Sequence, residues 1–392
     1  MHMNKIITLK KNEHYRITAG HLWAFSNEIE KIEGEPLIGE VVEVRNHSNE
    51  FLGIGFFNPH SLIAVRLLSR QQEEISSEYF RKRIESAFVL RKKIYPDETS
   101  YRVVHGEADF LPGLIVDKYN DFLSVQTFSA GMDQRLPMIC DVLESLLQPK
   151  GIVERNEALI RTYEGLAQRA GIIRGSVEQT IISEYGIQFS VDLLHGQKTA
   201  FFLDQRENRK AFQRYVRGSS VLDCFCNAGG FALHAATAGA KEVVGIDVSS
   251  DVIEHAKANA KLNHLESTTK FIVADTFDYL NAMIEQKKTF DVINLDPPSF
   301  AKSKKTVNKA IKGYRQLHSL AFDLLSPGGI LATASCSHHV YEDKFLDIIT
   351  STAKKAGRQV SMLEWRGTSP DHPVLPSLPE TKYLKFGIFR VE

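Results

Sequence analysis

From about residue 181 onward the chain repeats a single pattern, a short apolar run followed by an amphipathic helix. Ser220–Leu222, Glu242–Ile246, Phe271–Val273, Asp291–Leu295 and Ile330–Ala334 read as strands. Helices are expected near Phe231–Thr237, Asp251–Leu262, Phe277–Glu285, Lys309–Leu325 and Asp343–Ala356. Strand and helix in strict alternation admit few folds: an open, mostly parallel sheet with helices on both faces. Such sheets bind their ligands at the carboxyl ends of the strands.

What stands at those ends is therefore the informative part of the sequence. The first strand runs into Asp223-Cys224-Phe225-Cys226-Asn227-Ala228-Gly229-Gly230-Phe231, glycines at the mouth of a helix, where N–H groups point at a ligand. The second ends in Asp247, a candidate acceptor for ribose hydroxyls, and the third is followed by Asp275, a candidate acceptor for an adenine amino group. The fourth ends in Asp296-Pro297-Pro298-Ser299-Phe300 and the fifth in Ser335-Cys336-Ser337. Each alone has a plain reading, a turn or the cap of the next helix. Five on one edge of one sheet point together to a nucleoside cofactor. A dinucleotide oxidoreductase would want Gly-x-Gly-x-x-Gly in the first turn, and Phe225 and Asn227 stand where the extra glycines belong.

The remaining chain divides in two. Residues 1–72 hold candidate strands Lys5–Leu9, Glu40–Arg45, Phe51–Phe57 and Leu62–Leu68, split by turn residues, which predicts a small β-barrel or sandwich. Residues 73–180 predict a central α+β domain: a helix over Glu74–Ile94, a hairpin over Leu114–Phe128 turning at Asn120-Asp121, and a helix whose apolar face runs from Leu136 to Leu147. Residues 181–392 form the third, α/β domain.

Lysine plus arginine and aspartate plus glutamate both number 48, so any polyanion site must be local. The basic run Arg81–Lys93 reads as a solvated helix face. A second run, carrying Lys302, Lys304, Lys305, Lys309, Lys312 and Arg315 with no acid between, follows the Asp-Pro-Pro lip directly, and phosphate contact is the better reading there. The four cysteines make no zinc spacing, so no metal is expected, and their scarcity fits a reducing, cytoplasmic setting. No apolar run suggests a membrane span.

Two prolines after Asp296 fix φ and remove two N–H donors, making a rigid lip against which a flat base can lie. Phe300 supplies an aromatic neighbour for a base drawn from its stack. Cys336 selects the chemistry. Carbon 5 of cytosine is a poor nucleophile, and addition of a thiolate at carbon 6 makes it an enamine able to take a methyl group. Free cysteine is usually a small core residue, and Cys140, Cys224 and Cys226 are read that way. Cys336, one strand over from Asp296, is read as the nucleophile.

These motifs resemble the 23S ribosomal RNA cytosine-5 methyltransferases typified by large-subunit methyltransferase I, across nearly the whole chain. Gly20-His21-Leu22-Trp23-Ala24-Phe25 is similar to the family's Gly-His-Pro-Trp-Val-Phe element of a PUA RNA-binding domain, with Leu22 replacing proline. Asp109-Phe110-Leu111-Pro112-Gly113-Leu114 and Asp117 look like its central domain. Gly196 to Arg206 matches the segment that closes over the cofactor, with Ala200 where glycine is usual. The resemblance implies a Rossmann-like methyltransferase domain with a mostly parallel seven-stranded sheet and S-adenosylmethionine as cofactor. Its cofactor contacts would be Phe201, Asp204, Gln205, Asp223, Phe225, Asn227, Gly229, Gly230, Phe231, Asp247, Val248, Ser249, Asp275, Thr276 and Asp296. Its RNA contacts would be Pro297, Pro298, Ser299, Phe300, Lys302, Lys304 and Lys305, with Cys336 and Asp296 catalytic. The partner is RNA, 23S rRNA by the resemblance, and a homodimer is admitted. Many such enzymes carry a second cysteine where Ser299 stands, which leaves the carbon-5 base unassigned. The competing readings are methylation of guanine N7, by a sister family without a cysteine at the Cys336 position, and a non-catalytic RNA-binding assembly factor.

Overall fold

The computed structural model describes residues 5–196, 199–301 and 304–392, and the chain divides into two compact units. The first comprises the chain up to Ile182, Val191–Leu203 and Pro370–Thr381; the second comprises Ser183–Ser190, Asp204–Ser369 and Lys382–Glu392.

The first unit contains two sheets and two hydrophobic clusters. One sheet has six strands, in the order Trp23–Ala24, Val65–Ser69, Phe51–Phe57, Val41–Arg45, Ile6–Leu9, Ile29–Glu33. Three of the four expected strands stand within a residue of their expected bounds. The fourth begins at Val65 rather than Leu62, because Pro59 to Ile63 form a turn held by Asn58 and Ser61 side chains. The second sheet has five strands and carries the expected hairpin, Leu114–Tyr119 and Phe122–Thr127, on helices Ser77–Ile94 and Leu136–Leu147.

Ion pairs explain the family-like residues of this unit. Both Asp109 oxygens take the Arg91 guanidinium at 2.6 Å, and Asp117 takes Arg102 at 2.7 and 2.8 Å. Arg91 is 0% exposed, which corrects the reading of Arg81–Lys93 as a wholly solvated face. Ala200 adopts φ 131°, a backbone region that suits glycine. Ala200→Gly should raise stability by about 1 kcal/mol, since relief of strain exceeds the added freedom of the unfolded chain. A urea midpoint at or below that of the native chain would refute this.

In the second unit one seven-stranded sheet is built from β1 (Ser220–Cys224), β2 (Glu242–Asp247), β3 (Thr269–Val273), β4 (Phe290–Leu295), β5 (Leu325–Ser335), β6 (Val360–Arg366) and β7 (Lys385–Val391). Their spatial order is β3-β2-β1-β4-β5-β7-β6, parallel from β3 to β5, with β7 antiparallel to both neighbours. The five expected strands and five expected helices are present: α1 (Gly230–Thr237), α2 (Ser250–Leu262), α3 (Thr276–Glu285), α4 (Val307–Leu324) and α5 (Glu342–Lys355). Leu222, Cys224, Ile293 and Leu295 join the cluster formed with α3, α4 and α5. Strand alternation therefore turns Asp223 and Asn294 to the opposite face, towards α1. The chain leaves β3 and re-enters at β4 on the far side of β1, so the strand order reverses between β1 and β4. No helix among the described residues is long and apolar enough to cross a membrane.

Candidate functional site

The loop after β1 is wound tightly. Phe225, Asn227 and Gly229 take φ of 61°, 47° and 84°, so three left-handed residues lead into α1. A Cβ on Gly229, already at a left-handed φ, would press on the Phe271 ring at 3.1 Å, and one on Gly230 would approach the Arg209 side chain at 3.1 Å. The loop is held from below by two carboxylates. Asp247 accepts from the Asn227 N–H through Oδ2 and from the Ser249 N–H through Oδ1, both at 3.1 Å. Asp223 accepts from the Ala232 N–H of α1 at 2.9 Å and from Asn294 Nδ2 at 2.8 Å.

Asp223 lies inside the sheet, opposite Asn294 in the β1–β4 register and 1% exposed, not at the strand's rim as the sequence suggests. Burial pushes its carboxyl up to about 7, with the charges of Asp296 and Asp247 adding to the effect. Asn294 is fully buried, and among the described residues its Oδ1 has no hydrogen-bond partner. Three carboxylates and an unmet acceptor around one glycine loop suit a ligand that is cationic and carries N–H donors.

Asp296 stands at the end of β4 and accepts from Gln205 Nε2 at 3.0 Å. Gln205 is fixed in turn by Asn208, whose Nδ2 donates to its Oε1 at 2.6 Å, and Asn208 Oδ1 accepts from Arg366 at 3.2 Å. Asp204 Oδ2 accepts from the Tyr383 hydroxyl at 2.6 Å. Asp275 caps α3 with Oδ1, taking the Phe277 and Asp278 N–H groups at 2.8 and 3.2 Å; Oδ2 is not part of the cap. Thr276 is buried, while Val248 is 72% exposed. Phe201 belongs to the first unit, where its N–H donates to the Tyr119 hydroxyl.

Cys336 follows the last residue of β5, half-buried, with Sγ 4.0 Å from the Pro297 carbonyl oxygen. The other three cysteines are buried, and burial pushes the Cys140 thiol up to about 12 and those of Cys224 and Cys226 well above the ordinary range. Pro297 is buried and Pro298 exposed. Ser299, Ser335 and Ser337 form a knot with Tyr314 of α4: Ser299 Oγ and Ser337 Oγ are 3.2 Å apart, and the Tyr314 hydroxyl donates to Ser335 at 2.9 Å. Phe300 packs onto α4, its ring 4.8 Å from that of Tyr314 and against Gly313, and stays half-buried. Lys305, Lys309 and Lys312 are exposed, at spacings that share one side. Lys302, Gln197 and Lys198 lie outside the described residues, as does the side chain of Lys304.

Sequence reasoning missed Asn294, Asn208, Tyr314, Tyr383 and Lys385. The available signal was polarity out of place. Asn294 interrupts the apolar β4, and Lys385 opens the apolar β7 with its side chain 3% exposed.

Comparison with known proteins decides what this edge belongs to. Residues 7–70 match a PUA-like domain and residues 116–387 an S-adenosylmethionine-dependent methyltransferase domain. A ribosomal RNA large subunit methyltransferase I from Vibrio cholerae is 39% identical over 390 residues, 98% of both chains. The namesakes from Tolumonas auensis and Aeromonas salmonicida are also 39% identical, with 98% of each chain covered. The chain belongs to the ribosomal RNA large subunit methyltransferase I family. A crystal structure of a methyltransferase complexed with SAH matches the fold of this family member with a TM-score of 0.86 at 23% identity, over 98% of this chain and 99% of that one. A chain described as a SAM-dependent methyltransferase from Streptococcus mutans gives 0.84 at 22%, with the same coverage.

This methyltransferase is thus S-adenosylmethionine-dependent, and the residues present fit that cofactor. Carboxylates gathered at the glycine loop suit a cofactor that carries a sulfonium and an ammonium group.

Proposed function

We propose that this enzyme methylates carbon 5 of a cytosine in large-subunit ribosomal RNA, through a covalent bond between Cys336 and carbon 6. The relatives' names support the ribosomal substrate, and the N-terminal PUA-like domain supports RNA docking by residues 1–72. One observation carries the atom and the base: the single half-buried cysteine sits beside the Asp296-Pro297 turn, while the other three are buried in the core.

In this reading Asp247 holds the ribose, Asp275 the adenine through its second oxygen, and the Phe225–Gly230 loop with the start of α1 the methionine moiety, supported by Asp223 and Asn294. Bound there, the cofactor supplies an electrophilic methyl group. The Cys336 thiolate adds to carbon 6 and the carbon 5–carbon 6 double bond shifts its electrons towards carbon 5, which takes the methyl. A base then removes the carbon-5 proton, those electrons restore the double bond, and the thiolate leaves carbon 6. Gln205, held by Asn208 and Arg366, orients Asp296 toward the base edge. Lys305, Lys309 and Lys312 meet phosphates.

Digestion of the methylated RNA and mass spectrometry of its nucleosides test the assignment. 5-Methylcytidine is expected; 7-methylguanosine would refute it, and no methylated product on any ribosomal substrate would favour a binding role. Asp247→Ala should weaken S-adenosylmethionine binding by roughly 1.5–3 kcal/mol, about 10- to 150-fold, because it removes charge-assisted acceptors and loosens the Asn227 turn. Equal affinity by calorimetry would show that β2 does not hold the ribose.

A further inference from the structure

Lys385 opens β7 directly across from Ser335 in the β5–β7 register, and it is almost completely buried. Its Nζ donates to the carbonyls of Ser337 and Tyr383, each at 2.8 Å, so it grips the residue after Cys336. Among the described residues its ammonium meets no carboxylate within ion-pair distance. Glu342, an acid whose charge acts on it, is already paired with Lys382 at 2.9 Å and accepts from the Trp365 indole. A buried cation without a counter-ion is costly. Cys336, between Ser335 across the strand pair and the gripped Ser337, is placed to supply the anion.

Resting on the reading above, we propose that Lys385 is the positioning residue of the nucleophile: it pins the Ser335-Cys336-Ser337 turn and holds Cys336 as a thiolate by pairing its charge. Burial lowers the Lys385 ammonium to about 8, while the neighbouring Cys336 and Glu342 act in the opposite direction. Among the described residues, groups that bear on this thiol include Asp296 after β4, a negative charge that opposes ionisation, and Tyr314 from α4, which burial pushes up to about 12 and keeps neutral. Tyr383, whose ring lies 5.7 Å from His338, completes the surroundings. Below about pH 8 the ammonium is charged and the thiolate is favoured; above it the pairing is lost.

The test is the pH profile of Cys336 alkylation by iodoacetamide on the full chain, read peptide by peptide in the mass spectrometer. In the native protein the midpoint should fall below the ~8.5 of a free thiol. Lys385→Gln keeps a donor for the carbonyls and removes the charge. It should raise the midpoint by about one unit, slowing alkylation at pH 7 about tenfold. Lys385→Arg should hold it near the native value. A native midpoint at or above that of a free thiol overturns the proposal whatever the variants do, and so does an unchanged profile in Lys385→Gln that still binds S-adenosylmethionine. A low midpoint raised by Lys385→Gln in an enzyme that yields 7-methylguanosine would sustain the pairing and refute the cytosine assignment instead.

Discussion

Cys336→Ala is expected to abolish methyl transfer to RNA, a loss of at least about a thousandfold, while S-adenosylmethionine binding is unchanged. Under the proposed mechanism, carbon 5 of cytosine has no means of attacking a methyl group without the thiolate, so the substitution removes the step that creates the nucleophile. Cys336→Ser should fare little better, since an alkoxide forms far less readily near neutral pH than a thiolate. Cofactor binding is spared because the carboxylates and the glycine loop belong to β1, β2 and β4, whereas Cys336 follows β5. A Cys336→Ala enzyme that turns over at a tenth of the native rate would end the covalent account.

The second large effect is structural. Asp109→Ala should cost about 3–5 kcal/mol, because it strands the fully buried Arg91 guanidinium without its bidentate partner. Among the described residues Arg91 would keep the carbonyls of Arg102 and Asp371. The same carboxylate also accepts the His105 N–H at the end of strand Ser100–His105, so the turn that follows loosens too. Replacing both partners with apolar residues, Arg91→Met with Asp109→Leu, should recover much of the loss, as the charge and its desolvation go together. Denaturant melts of the single and double variants decide this. A single-variant loss below about 1 kcal/mol would show that the pair is dispensable.

How much of this was legible in the sequence differs by element. The parallel core, β1 to β5 and its helices, was readable because each strand is a short apolar run between amphipathic helices. β6 and β7 were not. β6, Val-Ser-Met-Leu-Glu-Trp-Arg, is an edge strand whose alternation is broken by a bulge between Met362 and Glu364. Ile29–Glu33 is likewise an edge strand with charges along it. Gly151–Asn156, with three polar residues in a row at its end, is a fully buried strand that no sequence signal marks: Glu154 takes Arg169 at 2.7 Å and Asn156 accepts the Thr127 N–H at 2.7 Å.

The same physics divides the candidate site. The aspartates were visible because each stands at or beside the end of a periodic segment. Asn294 and Lys385 owe their places to neighbours across a strand boundary, Asp223 for one and Ser335 for the other, and a single sequence does not show which strands lie side by side. Arg91 was misread for the same reason. A cation on a helix looks solvated until its carboxylate, eighteen residues on, is seen to fold back over it.

The most direct test of the central claim is RNA carrying 5-fluorocytidine at the target position. Fluorine at carbon 5 cannot leave as the proton does, so the reaction should halt after methyl transfer. The account predicts a methylated protein–RNA adduct that survives denaturant and maps to Cys336 by peptide mass spectrometry. Full turnover of the fluorinated RNA without any adduct would contradict it.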